Sequence, residues 1–477
     1  MRTLVWFRGK DLRVADHPPL ADAAARGEAI PLFVLDPRFF APEGARELPH
    51  RMQVLLDSLA ELETRIASLG SRLLVVPGRS VDVVPRLAKL WRVDRVAAHR
   101  WTEPFGRERD RRVAAALEVP LELHEGETLV PPGFLTKRDG TPYAVFTPFL
   151  SAFLEKADVG RPIAAPRSLP PLPADVSVET VPVPALESLG LARNPRLVKG
   201  GEGAANERLA RFLDGPAARY HETRDRLDKD GTSRLSQDLK FGTLSARTVF
   251  TECGRALGRG PAWDKLRSEL VWREFAHALL FAHPDLLTTP YRPEFTDFPW
   301  RDDEAGWRAW TEGTTGYPAV DAAARQLKLE GFVPNRARMI AASFLAKDLM
   351  IDFRRGEAHY LKWLADGDWA NNDLGWQWSA GSGCDAQPWF RVFNPMLQGE
   401  KFDPEGAWLR RFVPELADLP AKWIHRPWEA PPLVLAEAGV TLGETYPHPI
   451  VDHFAARDRF LATAQAHFGA AAPPARR

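Results

Sequence analysis

From residue 3 to about 126, short apolar runs (TLVWF, IPLFVLD, RLLVV, RVAAH, LELHE) alternate with longer amphipathic segments. Such a rhythm predicts strands and helices taking turns in a parallel sheet. Between Met52 and Leu69 the residues Leu55, Leu56, Leu59, Leu62, Ile66 and Leu69 recur at steps of three and four, with Asp57, Glu61, Glu63 and Arg65 between them. That spacing predicts a helix with one buried face. Seven prolines fall between Pro162 and Pro184 and neither period survives there, as expected of a linker draped over a surface. From about 201 onward strand signals vanish and helical patterns such as ERLARFLDG and RMIAASFLAKDLMIDF take over. The expectation is an α/β domain with a doubly wound parallel sheet over residues 1–130, a linker over 131–200 and an all-α domain over 201–477. The tail AHFGAAAPPARR is expected to fray and is too short for a signalling extension.

Composition narrows the function classes. The 63 basic and 63 acidic residues balance, so any affinity for nucleic acid must come from a local patch. Between Lys328 and Lys362 seven basic residues face four acidic ones, a modest excess that equally describes a solvated helix face. Cys253 and Cys384 are the only cysteines, which excludes a disulfide framework, a four-cysteine zinc site and an all-cysteine iron–sulfur cluster and fits a reducing cytoplasm. No apolar run approaches the roughly 18 residues of a membrane helix, and the first residues lack the apolar stretch of a signal peptide. Sixteen tryptophans are many for 477 residues and suggest base stacking or light-linked chemistry.

The densest chemistry lies between Asp366 and Asp403, DGDWANNDLGWQWSAGSGCDAQPWFRVFNPMLQGEKFD, where Trp369, Trp376, Trp378 and Trp389 mix with carboxylates and amides. A core helix would favour aliphatic residues and exclude Asn, Asp and Gly. GTSRLS at 231–236 offers consecutive backbone amides, hydroxyls and a guanidinium ahead of a helical pattern, as a diphosphate requires, although Thr232 or Ser236 could equally be ordinary helix N-caps. In ELVWREF at 269–275, Glu269 and Trp272 share one helix face; a half-buried Trp beside an internal Glu–Arg pair is the plainer account.

Together with GFVPNRARM at 331–339, WFRGKDLRVADHPPL at 6–20 and GTPYAVFTPF at 140–149, these motifs resemble the photolyase and cryptochrome family, most closely the class I enzymes that repair cyclobutane pyrimidine dimers. The resemblance extends over nearly the whole chain. It implies a Rossmann-like antenna domain followed by a helical FAD-binding domain. It also implies a second chromophore (a folate, a deazaflavin or a flavin) that the residues around His50 and Glu103 do not identify. Alternatively the sheet is scaffold alone. By resemblance, Tyr220 and the loop Thr232, Ser233, Arg234, Leu235 and Ser236 hold the FAD phosphates. Arg273, Arg338, Asp366, Gly367 and Asp368 surround the folded cofactor, one carboxylate on a ribose hydroxyl and one paired to Arg338, although Asp366 and Asp368 could otherwise be solvated turn residues. Asn372 takes the position facing flavin N5 and tunes it.

The resemblance further implies that Trp272 and Trp378 line a pocket for a flipped-out dimer, that Glu269 and Asn335 hydrogen-bond its bases and that Met339 gives an apolar contact. Arg224, Arg336, Gln398 and Lys401 match backbone-contacting positions, with Arg391 a lesser candidate. The implied partner is ultraviolet-damaged DNA, duplex or single-stranded, bound without sequence preference by a cytoplasmic monomer with no membrane association. Electron transfer from photoexcited reduced FAD splits the dimer. Flavin reduction in the family runs through three Trp; here Trp376 and Trp300 match the inner and outer ones, but Phe353 stands in the middle, so either hopping detours through Trp378 and Trp310 or photoreduction is slow. Gly9, Lys10, His17, Phe332 and Pro334 also depart from the family motifs. The competing class is a light sensor of the cryptochrome kind; a flavin-storage or nucleotide-binding protein is a third, disfavoured by the clustered Trp.

Overall fold

The computed structural model describes residues 1–469. Five strands, β1 (Arg2–Phe7), β2 (Glu28–Leu35), β3 (Leu74–Pro77), β4 (Arg95–His99) and β5 (Leu121–His124), form one parallel sheet in the order β3-β2-β1-β4-β5. Each coincides with one of the five apolar runs. β1 and β2 are buried almost throughout, which explains their continuous apolar character. Alternate residues of β1 serve opposite faces. Val5 and Phe7 join Leu55, Leu59, Leu62 and Ile66 of the Pro49–Ser68 helix, whereas Leu4 and Trp6 join Val83, Val84 and Leu87 of the Ser80–Leu90 helix. Apolar cores on both faces make this the doubly wound α/β arrangement.

The proline-rich stretch has no helix or strand between residues 162 and 184, yet it is not loose. Leu169 enters one core, Leu172, Val176 and Val178 pack on the other, and Val181 N–H donates to Val75 O at 3.0 Å. That bond lies along β3, an edge strand whose groups would otherwise be open to another chain. Within 131–200 there is also a helix, Phe146–Lys156.

Among the described residues no strand follows β5, apart from isolated bridges, and the remainder is helical. No helix there is long and apolar enough to cross a membrane. Of the tail 466–477 expected to fray, residues 466–468 instead complete the helix His453–Phe468, and 470–477 lie outside the described residues. By internal contacts the chain divides into a first unit of residues 1–221, 232–284 and 364–370, and a second of 222–231, 285–363 and 371–477. In the second unit the RMIAASFLAKDLMIDF pattern is not one helix. Asn335–Ser343 passes into a π-helical turn at Phe344–Asp348, Met350 takes φ 56°, and a new helix starts at Phe353. Asp348, fully buried, is held there by His453 and kept in place by a tertiary contact that local periodicity does not contain.

Candidate active site

In the first unit the loop 232–236 precedes a short helix, Ser236–Phe241, whose N-cap Leu235 makes no side-chain capping bond. Ser236 is therefore not an ordinary cap. Arg234 adopts φ 51°, a left-handed conformation uncommon outside glycine, and Leu235 follows at φ −96°, ψ 3°. Alternating hands of this kind turn successive N–H groups toward one concavity, an anion-binding nest. The Ser236 hydroxyl is buried and has no hydrogen-bond partner among the described residues. A buried unsatisfied hydroxyl beside such a nest fits a diphosphate. Tyr220 is buried nearby in sequence, edge-on to Phe212.

Asp366 and Asp368 are 8% and 7% exposed, which excludes solvated turn residues. Asp368 lies 3.5 Å from His277 Nε2 and 3.4 Å from Lys10 Nζ, while Gly367 O accepts from Arg51 at 3.4 Å. Lys10 also reaches Glu103 at 2.7 Å and pairs with Glu127, and all four residues are buried. Burial alone would raise the Asp368 carboxyl, but His277 and Lys10 hold it well below the usual range. Glu127 is likewise brought down to about 2 against the effect of burial, mainly by Lys10. Burial pushes His277 down to about 4, and its Nδ1 faces the Thr102 hydroxyl at 2.7 Å. The sequence showed Lys10 only as a departure from a motif. Its role needed three carboxylates from distant parts of the chain. Gly242 makes this packing possible, since at φ 61° a Cβ would meet Lys10 O at 1.9 Å.

On the Pro261–Ala282 helix, Trp272 is half-buried and stacks on Phe146 with centroids 3.7 Å apart and planes 8° apart. Phe146 was invisible to the sequence argument as a partner, although it lies in the recognised GTPYAVFTPF motif. Glu269 is 3.1 Å from Lys265, and Arg273 is 3.2 Å from Glu274. Glu274 is pushed up to about 7 by burial, against Arg273 and the Leu129 N–H it accepts.

In the second unit Asn335 is exposed in the first turn of Asn335–Ser343 and its amide approaches Met339 Sδ at 3.6 Å. Arg338 is fixed by donating to Val333 O at 2.7 Å. Arg336 is brought against Asp225 at 3.2 Å and over the Phe402 ring at 4.3 Å, where Lys401 also stands at 5.3 Å. Leu227 N–H donates to Phe402 O at 2.8 Å, so the 222–231 segment carrying Arg224 joins Lys401 and Gln398 of the Pro395–Phe402 helix in one region. The charge patch is smaller than sequence suggested: Lys347 and Asp348 are buried, and Arg354 and Arg355 are engaged by Asp352 and Glu304. Asn372 is buried and donates to Glu357 O at 3.2 Å, which orients its amide. Trp376 is 4% exposed, and Gly356 allows its approach because a Cβ there would lie 2.3 Å from the indole. Phe353 is buried, 6.1 Å from Trp300 between ring centroids; Trp378 is half-buried.

A nest suited to a diphosphate, buried carboxylates and a tryptophan-rich helix are features of a flavin-dinucleotide-binding protein. Comparison with known proteins is consistent with that class. Residues 3–173 match the model described as DNA photolyase, and residues 266–466 match the FAD binding domain of DNA photolyase. The deoxyribodipyrimidine photo-lyase of Agrobacterium fabrum is 40% identical, covering 96% of each chain. The structure of a bacterial class III photolyase from Agrobacterium tumefaciens superposes with a TM-score of 0.91 at 39% identity, covering 98% of each chain. A Synechocystis cryptochrome does so with 0.89 at 31% identity over 97% of this chain and 99% of that one. The chain belongs to the DNA photolyase family and carries its FAD-binding domain.

Proposed function

We propose that this protein repairs cyclobutane pyrimidine dimers in damaged DNA by light-driven electron transfer. The observation that carries the reading is full-length similarity to a deoxyribodipyrimidine photo-lyase, combined with the nest at Arg234 and the unpartnered Ser236 hydroxyl. Reduced FAD supplies, on absorbing blue or near-ultraviolet light, the electron that cleaves the two bonds joining the pyrimidines. Thr232, Ser233, Arg234, Leu235 and Ser236 bind the diphosphate with Tyr220, and Arg273, Arg338, Asp366, Gly367 and Asp368 orient the rest. Asn372, its amide oriented by Glu357 O, faces the flavin.

The chain's part in the chemistry is positioning and electrostatics, without a side-chain nucleophile. Trp272, held flat by Phe146 on one face, offers its other face to a damaged base, and Trp378 is a further lesion contact. Glu269 and Asn335 hydrogen-bond the damaged bases, and Met339 gives an apolar contact. A dimer has already lost stacking, so extruding it costs less than the few kcal/mol of a normal base, giving damage selectivity without sequence readout. Arg224, Arg336, Gln398 and Lys401 hold the phosphates, so affinity falls with salt. The antenna domain, residues 1–130, would hold a second chromophore that supplies light harvesting. The protein acts as a cytoplasmic monomer.

The test is repair of a thymine-dimer oligonucleotide by purified, chemically reduced protein, with and without blue light. Light-dependent restoration of thymines is expected. Bound flavin that responds to light without repair would instead make the chain a photoreceptor.

A further inference from the structure

Phe353 poses a problem in the second unit. An unsubstituted phenyl ring is far harder to oxidise than an indole, and among the described residues Trp376 has no ring contact with Phe353 or Trp300. Trp376 touches two other rings: Trp310 at 6.0 Å, crossed at 69°, and Tyr360 at 5.2 Å. Trp310 in turn stacks on Trp307, with centroids 5.6 Å apart and planes at 21°. Both belong to the Glu304–Glu312 helix, three residues apart and hence on one face. Trp310 is 2% exposed, whereas Trp307 is half-buried.

Hydrogen bonding gives this series a direction. Trp310 Nε1 donates to Ala341 O at 3.0 Å in a buried setting, so an oxidised Trp310 keeps its proton and can pass its charge onward. Trp307, open to water on one side, can lose its proton and end the sequence. Tyr360 cannot compete: its phenol is buried with no hydrogen-bond partner among the described residues, and an oxidised phenol must release its proton. Around Trp307 stand His359, 5.7 Å from both indoles, and Arg355, 4.5 Å over the ring. Arg355 opposes positive charge on Trp307, but Glu304 pairs with it at 2.7 Å and offsets that charge.

We propose that electrons for flavin reduction enter this chain at Trp307 and pass through Trp310 to Trp376, bypassing Phe353 and Trp300. This rests on the reading of Trp376 as the ring beside the flavin. One electron leaves Trp376 for photoexcited oxidised flavin, Trp310 refills Trp376, and Trp307 refills Trp310. Trp307 then releases its indole proton to water, and a thiol reductant in the medium restores both electron and proton. Trp378, given a place in the detour by the sequence argument, has none here, because no ring contact links it to the series among the described residues.

The experiment is transient absorption of the purified, FAD-loaded protein, following the indole radical in wild type and in Trp307→Phe, Trp310→Phe and Trp300→Phe. Trp310→Phe should abolish the long-lived radical and leave only rapid recombination at Trp376. Trp307→Phe, at a half-buried position where folding is least at risk, should abolish the deprotonated form. Trp300→Phe should leave both unchanged. A radical that survives both Trp307→Phe and Trp310→Phe, or vanishes in Trp300→Phe, overturns the route, as does a flavin-loaded wild type with no indole radical. A purified protein that binds no FAD overturns the functional reading as well, which its visible spectrum reports separately.

Discussion

The charge cluster around Lys10 in the first unit and the indole cluster around Trp310 in the second are both largely buried, yet they depend on opposite physics. Lys10, Glu103, Glu127 and Asp368 are charged groups removed from water that tolerate burial only because they neutralise one another. Burial would depress the Lys10 ammonium, but Glu103, Glu127 and Asp368 outweigh it and hold it raised. Trp376, Trp310 and Trp307 need no such compensation; dispersion and one N–H bond to Ala341 O hold them. Losing one charge leaves others stranded, whereas losing one indole to phenylalanine leaves a packed ring and removes mainly a redox property. The first cluster therefore secures the local fold around Lys10 and Asp368, and the second tolerates substitution at little structural cost.

The sharpest way to break this contrast is Lys10→Met, which strands three buried carboxylates and should cost about 3–5 kcal/mol of stability in denaturant unfolding. A loss comparable to that of Trp307→Phe would show that the cluster is not electrostatically tensioned. Glu274 provides a second probe of buried charge in the same unit. Its folded pKa of about 7 lies above that of an unfolded glutamate, so its contribution is fully present below about pH 4 and is lost as pH rises through 7. Between pH 4.5 and 7.5, Glu274→Gln should gain on wild type by up to about 3 kcal/mol, read from paired unfolding curves. A difference that does not change with pH would contradict this.

On the aromatic side, Trp272→Ala removes a stacking platform worth about 1–3 kcal/mol per base and should weaken binding of a dimer-containing oligonucleotide about 10- to 100-fold in titrations. Binding of undamaged DNA should change far less. The smallest effect is expected for Arg336→Ala, which should lower the slope of log affinity against log salt by about 1 while sparing damage selectivity. A change in selectivity would move Arg336 from phosphate contact to lesion recognition.

Local order was legible because it is carried by periodicity. The runs TLVWF and RVAAH were strands in sequence and became β1 and β4, and the spacing from Leu55 to Ile66 was a helix face before any partner was known. Motif chemistry was legible for the same reason: the residues of GTSRLS and DGD sit close together in the chain, so their joint chemistry can be read along it. Phe353 could likewise be recognised as a break in a pattern. What needed tertiary structure were the partners. Nothing near Lys10 in sequence announces Glu103, Glu127 and Asp368; nothing near Trp272 announces Phe146; and the helical pattern through Lys347 and Asp348 concealed a π turn and two buried charges. Sequence by itself determined the class of fold, the family and the residue types available for chemistry, because these depend on short-range pattern. Only the tertiary structure decided which charges are buried together and which indoles touch, because burial and ring contact arise between segments that are far apart in the chain.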